Sequence, residues 1–201
     1  MNPSVFDINN QLQSIESKIV VALERISEAF RVLLWEEAKE HALSPIQVQL
    51  LIFCCFHTEE KRKIGFLAVE FNLTKATISD AVKTVELKGY IRKETAIGDT
   101  RSYSIHLTKK GMALTKKLAA FANPLHNSVS NLSDNQKQVL FNSLLELIQK
   151  LQTAGIISIN RMCLACRFYE KKTNNHYCNY LNTPLKNTEL RIDCREYEMI
   201  N

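Results

Sequence analysis

The sequence predicts a mainly α-helical chain that carries one small two-stranded β element and ends in a separate cysteine-rich module. Three observations lead there. Apolar residues recur at spacings of three and four over most of residues 12 to 151, the spacing of a helix stripe. One segment, residues 102 to 107, alternates polar and apolar side chains instead, the period of a half-exposed strand. Four of the six cysteines then fall together, at 163, 166, 178 and 194.

Taken in order, Leu12, Ile15, Ile19, Leu23, Ile26, Phe30, Leu33 and Leu34 form one stripe, which predicts a single long helix reaching about His41. Helices beyond ~25 residues often serve coiled-coil or dimer contacts. Ser44 as N-cap, Pro45 at the first helical position and Gln47 closing a capping box start the next helix, with Val48, Leu51, Ile52 and Cys55 as its buried face. A free cysteine inside such a helix behaves as a small hydrophobe, so at least Cys55 is assigned to the core. Ile64, Leu67, Ala68 and Phe71 make a short amphipathic helix that Asn72-Leu73 ends. Thr74 caps its successor, in which Ile78, Ala81, Val82 and Val85 share a side, and Gly89 closes it as a residue that tolerates a left-handed backbone. Two short helices so joined are a helix-turn-helix. Residues 90 to 95, a turn through Ile97-Gly98-Asp99 and the alternating strand then make a hairpin. Thr108 caps a helix with Leu114, Leu118 and Phe121 in its stripe, and Ser133 with Gln136 boxes the start of a last one along Leu140, Leu144, Leu147 and Leu151. Internal repeats and Pro- or Gly-rich linkers are absent from the sequence.

A chain of 201 residues that is 45% hydrophobic and 23% charged, with five Gly and four Pro, excludes disorder, collagen and low-complexity polymers. Without a run near the ~18 apolar residues of a membrane span, or a basic-then-apolar start, a cytoplasmic protein with no membrane partner is expected. The net charge of +5 is unevenly spread. Residues 1 to 60 hold four Lys/Arg and nine Asp/Glu, whereas residues 61 to 117 hold thirteen and five. Basic charge thus gathers on the helix-turn-helix and hairpin, pointing to a polyanion there or to an ordinary solvated lysine-rich face.

With Ile78, Val82 and Val85 inward, the helical period turns Ala76, Ser79, Asp80 and Lys83 outward, flanked by Thr77 and Thr84. Short polar side chains let a helix approach base edges in the major groove of double-stranded DNA, while Lys75 and Lys83 suit phosphates. Asp80, a carboxylate among phosphates, must either accept from cytosine or hold a neighbouring Arg or Lys. In the hairpin, Lys93, Asp99 and Arg101 bracket the tip, so that Arg101 can reach the backbone or a minor groove with Asp99 orienting it. The plain alternative is a surface ion pair worth ~0–1 kcal/mol.

Asp99-Thr100-Arg101, followed after five residues by Leu107-Thr108-Lys109-Lys110-Gly111, matches the D-x-R, spacer, L-T-x-x-G pattern around the wing of the MarR family of winged-helix transcriptional regulators. Residues 74 to 79 followed by Leu87-Lys88-Gly89-Tyr90-Ile91 also resemble that family's recognition helix and its exit. The resemblance covers roughly residues 10 to 153. It implies a winged helix-turn-helix between long dimerisation helices, a homodimer, and two recognition helices on a pseudo-palindromic operator with half-sites ~34–36 Å apart. It further implies a small lipophilic effector in a crevice between dimer helices and wings. Trp35, Phe30 and Phe53 are candidates for its lining and equally for plain core.

Beyond that core, residues 158 to 198 form the cysteine module. Cys163-x2-Cys166-x11-Cys178-x15-Cys194 suits four thiolates around tetrahedral zinc or an iron–sulfur cluster; zinc is placed first, although the spacings discriminate neither. A segment of this size buries little core by itself, so a metal would supply the stability that packing does not. His176 is either a substitute ligand or a bystander. Arg161, Arg167, Arg191 and Arg195 would lower nearby thiol pKa values or form an ordinary surface. The competing chemistries are two disulfides and a metal-free thiol switch.

The function expected is that of a DNA-binding transcriptional regulator, not an enzyme, whose four-cysteine site is structural or senses metal or redox state. A sensing site would act by shifting the closing helices and with them the separation of the recognition helices. The alternatives are a redox or metal-dependent protein that uses the winged helix as a protein-interaction module, and a winged helix serving for interaction alone. No phosphate loop or ordered catalytic triad supports an enzyme.

Overall fold

Ser14 divides the stripe that the sequence predicts as one long helix. The backbone there is extended (φ −120°, ψ 118°), and its hydroxyl accepts from the Ser17 N–H at 3.1 Å, so Ser14 ends α1 (Ile8–Gln13) and starts α2 (Ile15–Glu40). Serine is a weak helix-interior residue and a strong N-cap, which is why the break falls on it. The computed structural model describes residues 4–96, 99–157, 161–172 and 175–200, apart from the side chains of residues 96 and 99–102.

Only Ser17, Leu34 and Ala38 of α2 are buried. Of its other apolar residues, Ile15, Ile19, Ile26 and Trp35 lie open, whereas Leu23 and Leu33 are half-buried. Helix α3 (Pro45–Phe56) starts as expected, with the Gln47 side chain accepting from the Ser44 N–H at 3.1 Å. Its buried set is Val48, Leu50, Leu51, Phe53 and Cys54. Cys54 is thus the fully buried thiol, and Cys55, which the sequence assigns to the core, is only partly buried with Sγ 3.5 Å from Met112 Sδ. The helix is apolar on nearly every side, so spacing could not fix its rotational phase.

The α4 helix (Ile64–Glu70) stops at Asn72, whose φ of +51° breaks the run. Helix α5 (Lys75–Leu87) follows, with the Thr74 hydroxyl accepting from the Thr77 N–H and Ile78, Ala81, Val82 and Val85 buried, all as expected. Antiparallel strands β1 (Ile91–Ala96) and β2 (Asp99–Leu107) pair with Ile91 opposite Leu107 and Lys93 opposite Ile105. The predicted turn at Ile97-Gly98 lies outside the described residues. Helix α6 (Lys109–Leu118) continues through a 3-10 turn into α7 (Asn123–Ser130), a helix the sequence analysis did not separate, and α8 (Asp134–Thr153) begins at the Ser133–Gln136 capping box. Among the described residues, no helix is long and apolar enough to cross a membrane.

One junction fixes α5 relative to α6. The Thr108 hydroxyl donates to the Gly89 carbonyl at 2.7 Å, its N–H donates to the Tyr90 carbonyl at 3.0 Å, and its oxygen accepts from the Gly111 N–H at 3.0 Å. The approach is so close that a Cβ at Gly111 would stand 1.8 Å from the Tyr90 carbonyl oxygen.

The C-terminal module is a three-stranded antiparallel meander of β3 (Tyr169–Lys171), β4 (His176–Cys178) and β5 (Thr183–Leu185). It docks on α8, where Leu145 forms a small core with Met162 and Leu190, apart from the main core around α3.

The Gly111 contact leads to a measurable expectation. Gly111→Ala forces backbone apart, and by analogy with overpacked cores it should cost ~1–3 kcal/mol in urea unfolding. A loss below ~0.5 kcal/mol would mean that the turn yields freely.

Candidate nucleic-acid interface and cysteine centre

The inner face of α5 takes Ile78, Val82 and Val85, and the outer face is left mainly with short side chains between lysines. Lys75, Ala76, Thr77, Asp80 and Lys83 are exposed, and Ser79 and Thr84 are partly so. Thr84 donates to the Asp80 carbonyl at 2.9 Å, and the Thr77 hydroxyl lies 2.9 Å from that of Thr74. Of the two roles open to Asp80, the structure displays the second: its Oδ1 lies 3.4 Å from Lys83 Nζ in an exposed i,i+3 pair. Such a pair contributes little to stability and leaves both groups free to re-pair.

The hairpin stands beside this helix. Lys93 Nζ pairs with Glu86 of α5 at 2.5 Å and lies over the Tyr103 ring, 5.1 Å from its centroid, so it braces the hairpin against α5 instead of standing free at the tip. The side chains of Asp99 and Arg101 lie outside the described residues. Among the aromatics weighed for an effector crevice, Phe53 is core, Phe30 packs edge-on to Phe121 at 5.0 Å, and Trp35 is 63% exposed.

The meander and the 3-10 turn at Cys163–Ala165 bring Cys163, Cys166, Cys178 and Cys194 to the wall of one cavity of about 30 Å³. All are free thiols. Phe168, Tyr169, Tyr177, Tyr180, Leu181 and Leu185 complete a largely apolar lining. Arg191 is the cationic contact: its backbone N–H donates to Cys163 Sγ at 3.2 Å and its guanidinium to Cys194 Sγ at 3.5 Å. Among the described residues, no three Cys, His, Asp or Glu side chains already stand as a coordination set. Burial pushes the Cys163 thiol above its ordinary value; the Arg191 N–H pulls it down, and Cys194, Cys166 and Cys178 add to the rise. The expectation that nearby arginines depress thiol pKa therefore fails at Cys163, because desolvation outweighs them. His176 is engaged elsewhere, with Nδ1 2.6 Å from the Tyr169 hydroxyl and Nε2 2.9 Å from Asn187 Oδ1.

A second cluster lies at the seam between module and helix-turn-helix. Arg161, 8% exposed, donates through Nε to Asp193 Oδ1 at 2.7 Å and through Nη2 to Glu70 Oε1 at 3.1 Å; Nη1 donates to the other Glu70 oxygen. Its guanidinium also lies over Phe53 and Phe66, 5.5 and 5.8 Å from the ring centroids. His57, stacked on Phe53 at 3.7 Å, places Nε2 2.6 Å from Asp193 Oδ2. Burial alone would raise the Asp193 carboxyl, but hydrogen bonds from His57 and Arg161 outweigh it and hold the group well below the usual carboxylate range. Sequence reading named Arg161 only as a positive neighbour of the cysteines and missed Glu70 and His57. Their partners lie 91 and 136 positions away, beyond any local signal.

Comparison with known proteins places this geometry. No family model matches the chain. It is 26% identical over 150 residues to the HTH-type transcriptional repressor YetL of Bacillus subtilis, covering 74% of this chain and 78% of that protein. It is 27% identical over 110 residues to the HTH-type transcriptional regulator SarZ of Staphylococcus haemolyticus, covering 55% and 73%. Among solved structures it resembles a MarR protein from Peptoclostridium difficile (TM-score 0.59, 21% identity, 70% of this chain and 92% of that one). It also resembles the S. aureus MepR–DNA complex (TM-score 0.58, 20% identity, 66% and 97%). The fold is therefore that of MarR-family winged-helix regulators, and the two curated relatives are regulators of transcription.

The cysteine inventory also orders reactivity. Desolvation pushes the Cys54 thiol up to about 12, so at pH 8 it is neutral as well as inaccessible. A thiol reagent applied to the native chain should modify Cys55 and spare Cys54 until the protein unfolds. Peptide mapping that finds Cys54 labelled first would contradict this packing.

Proposed function

We propose that this chain, built on the winged-helix core of MarR-family regulators, is a DNA-binding transcriptional regulator that binds a pseudo-palindromic duplex as a homodimer. The observation that carries the reading is α5: one face holds the core and the other offers exposed short polar residues bounded by lysines. Lys75 and Lys83 then meet phosphates, while Ala76, Thr77, Ser79 and Thr84 are short enough for the helix to approach base edges. Asp80 accepts from cytosine or positions Lys83. On the hairpin, Arg101 is assigned to the backbone or minor groove with Asp99 orienting it, and Lys93 sets the hairpin's angle.

The homodimer is supported by the exposed apolar residues of α2, with Phe6, Ile8 and Leu12 around α1 and Val139 and Leu140 on α8 exposed as well. Exposed apolar surface of this extent marks an association face. The C-terminal cysteines are assigned to a metal centre, of zinc or iron–sulfur type, that is structural or sensory. Their convergence on one cavity as free thiols supports this.

Duplexes selected from a random pool, titrated by anisotropy at several salt concentrations, test the reading. Log affinity should fall linearly with log salt, and Lys75→Ala or Lys83→Ala should weaken all sequences alike while reducing that slope by about one. Ser79→Ala should instead change base preference. No measurable duplex binding, or binding indifferent to salt, would reject the function. Sedimentation of Ile19→Glu/Ile26→Glu should show half the wild-type mass; a monomeric wild type would reject the homodimer.

A further inference from the structure

We propose that Cys163, Cys166, Cys178 and Cys194 hold a single tetrahedral divalent ion of the zinc class, and that this ion keeps Arg161 clasped on α4. The inference specifies the metal centre assigned above, and its effect on DNA rests on the reading of the chain as a DNA-binding regulator.

The donor set carries the choice: four thiols suit the closed, four-coordinate site that structural zinc takes. They line one cavity without already standing as a coordination set, so the ion would draw the four sulfurs together. Four soft donors arrive from three segments: the 3-10 turn, which Cys163 opens and Cys166 follows, the end of β4 and the C-terminal stretch. The walls are mainly aromatic and aliphatic, and the Arg191 N–H already bonds one sulfur, as an outer partner of a thiolate ligand does. Packing alone is thin in this module. Among its described residues, the buried side chains beyond the clasp are Met162, Cys166 and Leu190, and its strands are three residues long. On binding, each thiol loses a proton to solvent and its sulfur pair is donated to the cation, with no change of oxidation state.

The same segments carry the clasp. Arg161 lies two residues before Cys163, and Asp193 immediately precedes Cys194. Backbone bonds tie the two strands of chain together: Cys194 N–H donates to the Arg161 carbonyl at 3.1 Å, and Cys163 N–H to the Arg191 carbonyl at 2.9 Å. An ion bound by Cys163 and Cys194 therefore fixes Arg161 and Asp193 side by side. Their shared reach, to Glu70 on α4 and to His57 at the end of α3, is the module's polar hold on the helix-turn-helix. The sequence led us to expect that any signal would travel through the closing helices; the clasp offers a shorter route, directly into α4.

The full-length protein, purified without air, tests both parts by element analysis, visible spectroscopy and hydrogen exchange, none of which needs an operator. About one zinc per chain in colourless protein, lost in Cys166→Ser/Cys178→Ser, is the expected result. Iron with equimolar sulfide and a visible band would overturn the single ion; failure to retain zinc after anaerobic reconstitution would overturn the site. Chelation should speed exchange across residues 64 to 70 at least tenfold. Arg161→Met should do the same while retaining zinc, which separates the clasp from the folding of the module. Unchanged exchange in either case would overturn the clasp. If metal and exchange behave as stated but no duplex binds, the clasp stands and the DNA-binding reading falls.

Discussion

Helix α3 is the constraint on which the rest of the head depends. With Val48, Leu50, Leu51, Phe53 and Cys54 all buried, it gives little beyond Cys55 and Phe56 to water, so other elements must cover most of it. Helices α2, α5 and α6 and strand β2 all pack on it. Each contributes one apolar side and keeps its other for a second purpose: α2 an open apolar row, α5 a row of short polar residues. An element buried over most of its circumference thus explains why its neighbours are two-sided.

What could be read in advance is what depends on neighbours in sequence. The caps at Ser44, Thr74, Thr108 and Ser133, the left-handed Gly89 and the inward face of α5 are each decided within about four residues, and each stands where the sequence put it. The failures have other causes. Ser14 sits on a stripe whose apolar period runs straight through the break, so the period conceals the cap. In α3, period cannot distinguish Cys54 from Cys55 when nearly every position is apolar. The stripe of α2 announces an apolar face but not whether the chain itself covers it. Of the candidate site, the α5 residues and the convergence of the cysteines were legible; the charged cluster at the seam was not, because its members meet only through the tertiary fold.

That cluster is costly to build, which makes its position informative. A guanidinium 8% exposed loses much of its hydration, and the loss is made good only by charge and geometry. Arg161 has both, with carboxylates on two sides and aromatic faces of Phe53 and Phe66 alongside. Removing Glu70, the more buried carboxylate, would leave the guanidinium with Asp193 alone, a loss below the ~3–5 kcal/mol of a fully buried pair. Such a contact resists sliding. Apolar packing at Leu145 tolerates small shifts, whereas a fork of directed hydrogen bonds has one register.

The module thereby has two attachments of different character: an apolar one on α8 and a directional ionic one on α4. A body held at one point can pivot; held at two, it fixes the distance between them. Helix α4 is only seven residues long, with Leu67 and Ala68 buried and Ile64 and Phe66 partly so. It leads through Asn72 into α5, whose far end is pinned by the Thr108 and Gly111 junction. The position of α5 is therefore set from both ends. One end is locked by a backbone contact too tight for any residue but glycine. The other depends on a short helix whose last residue, Glu70, is gripped by an arginine two positions from a cysteine.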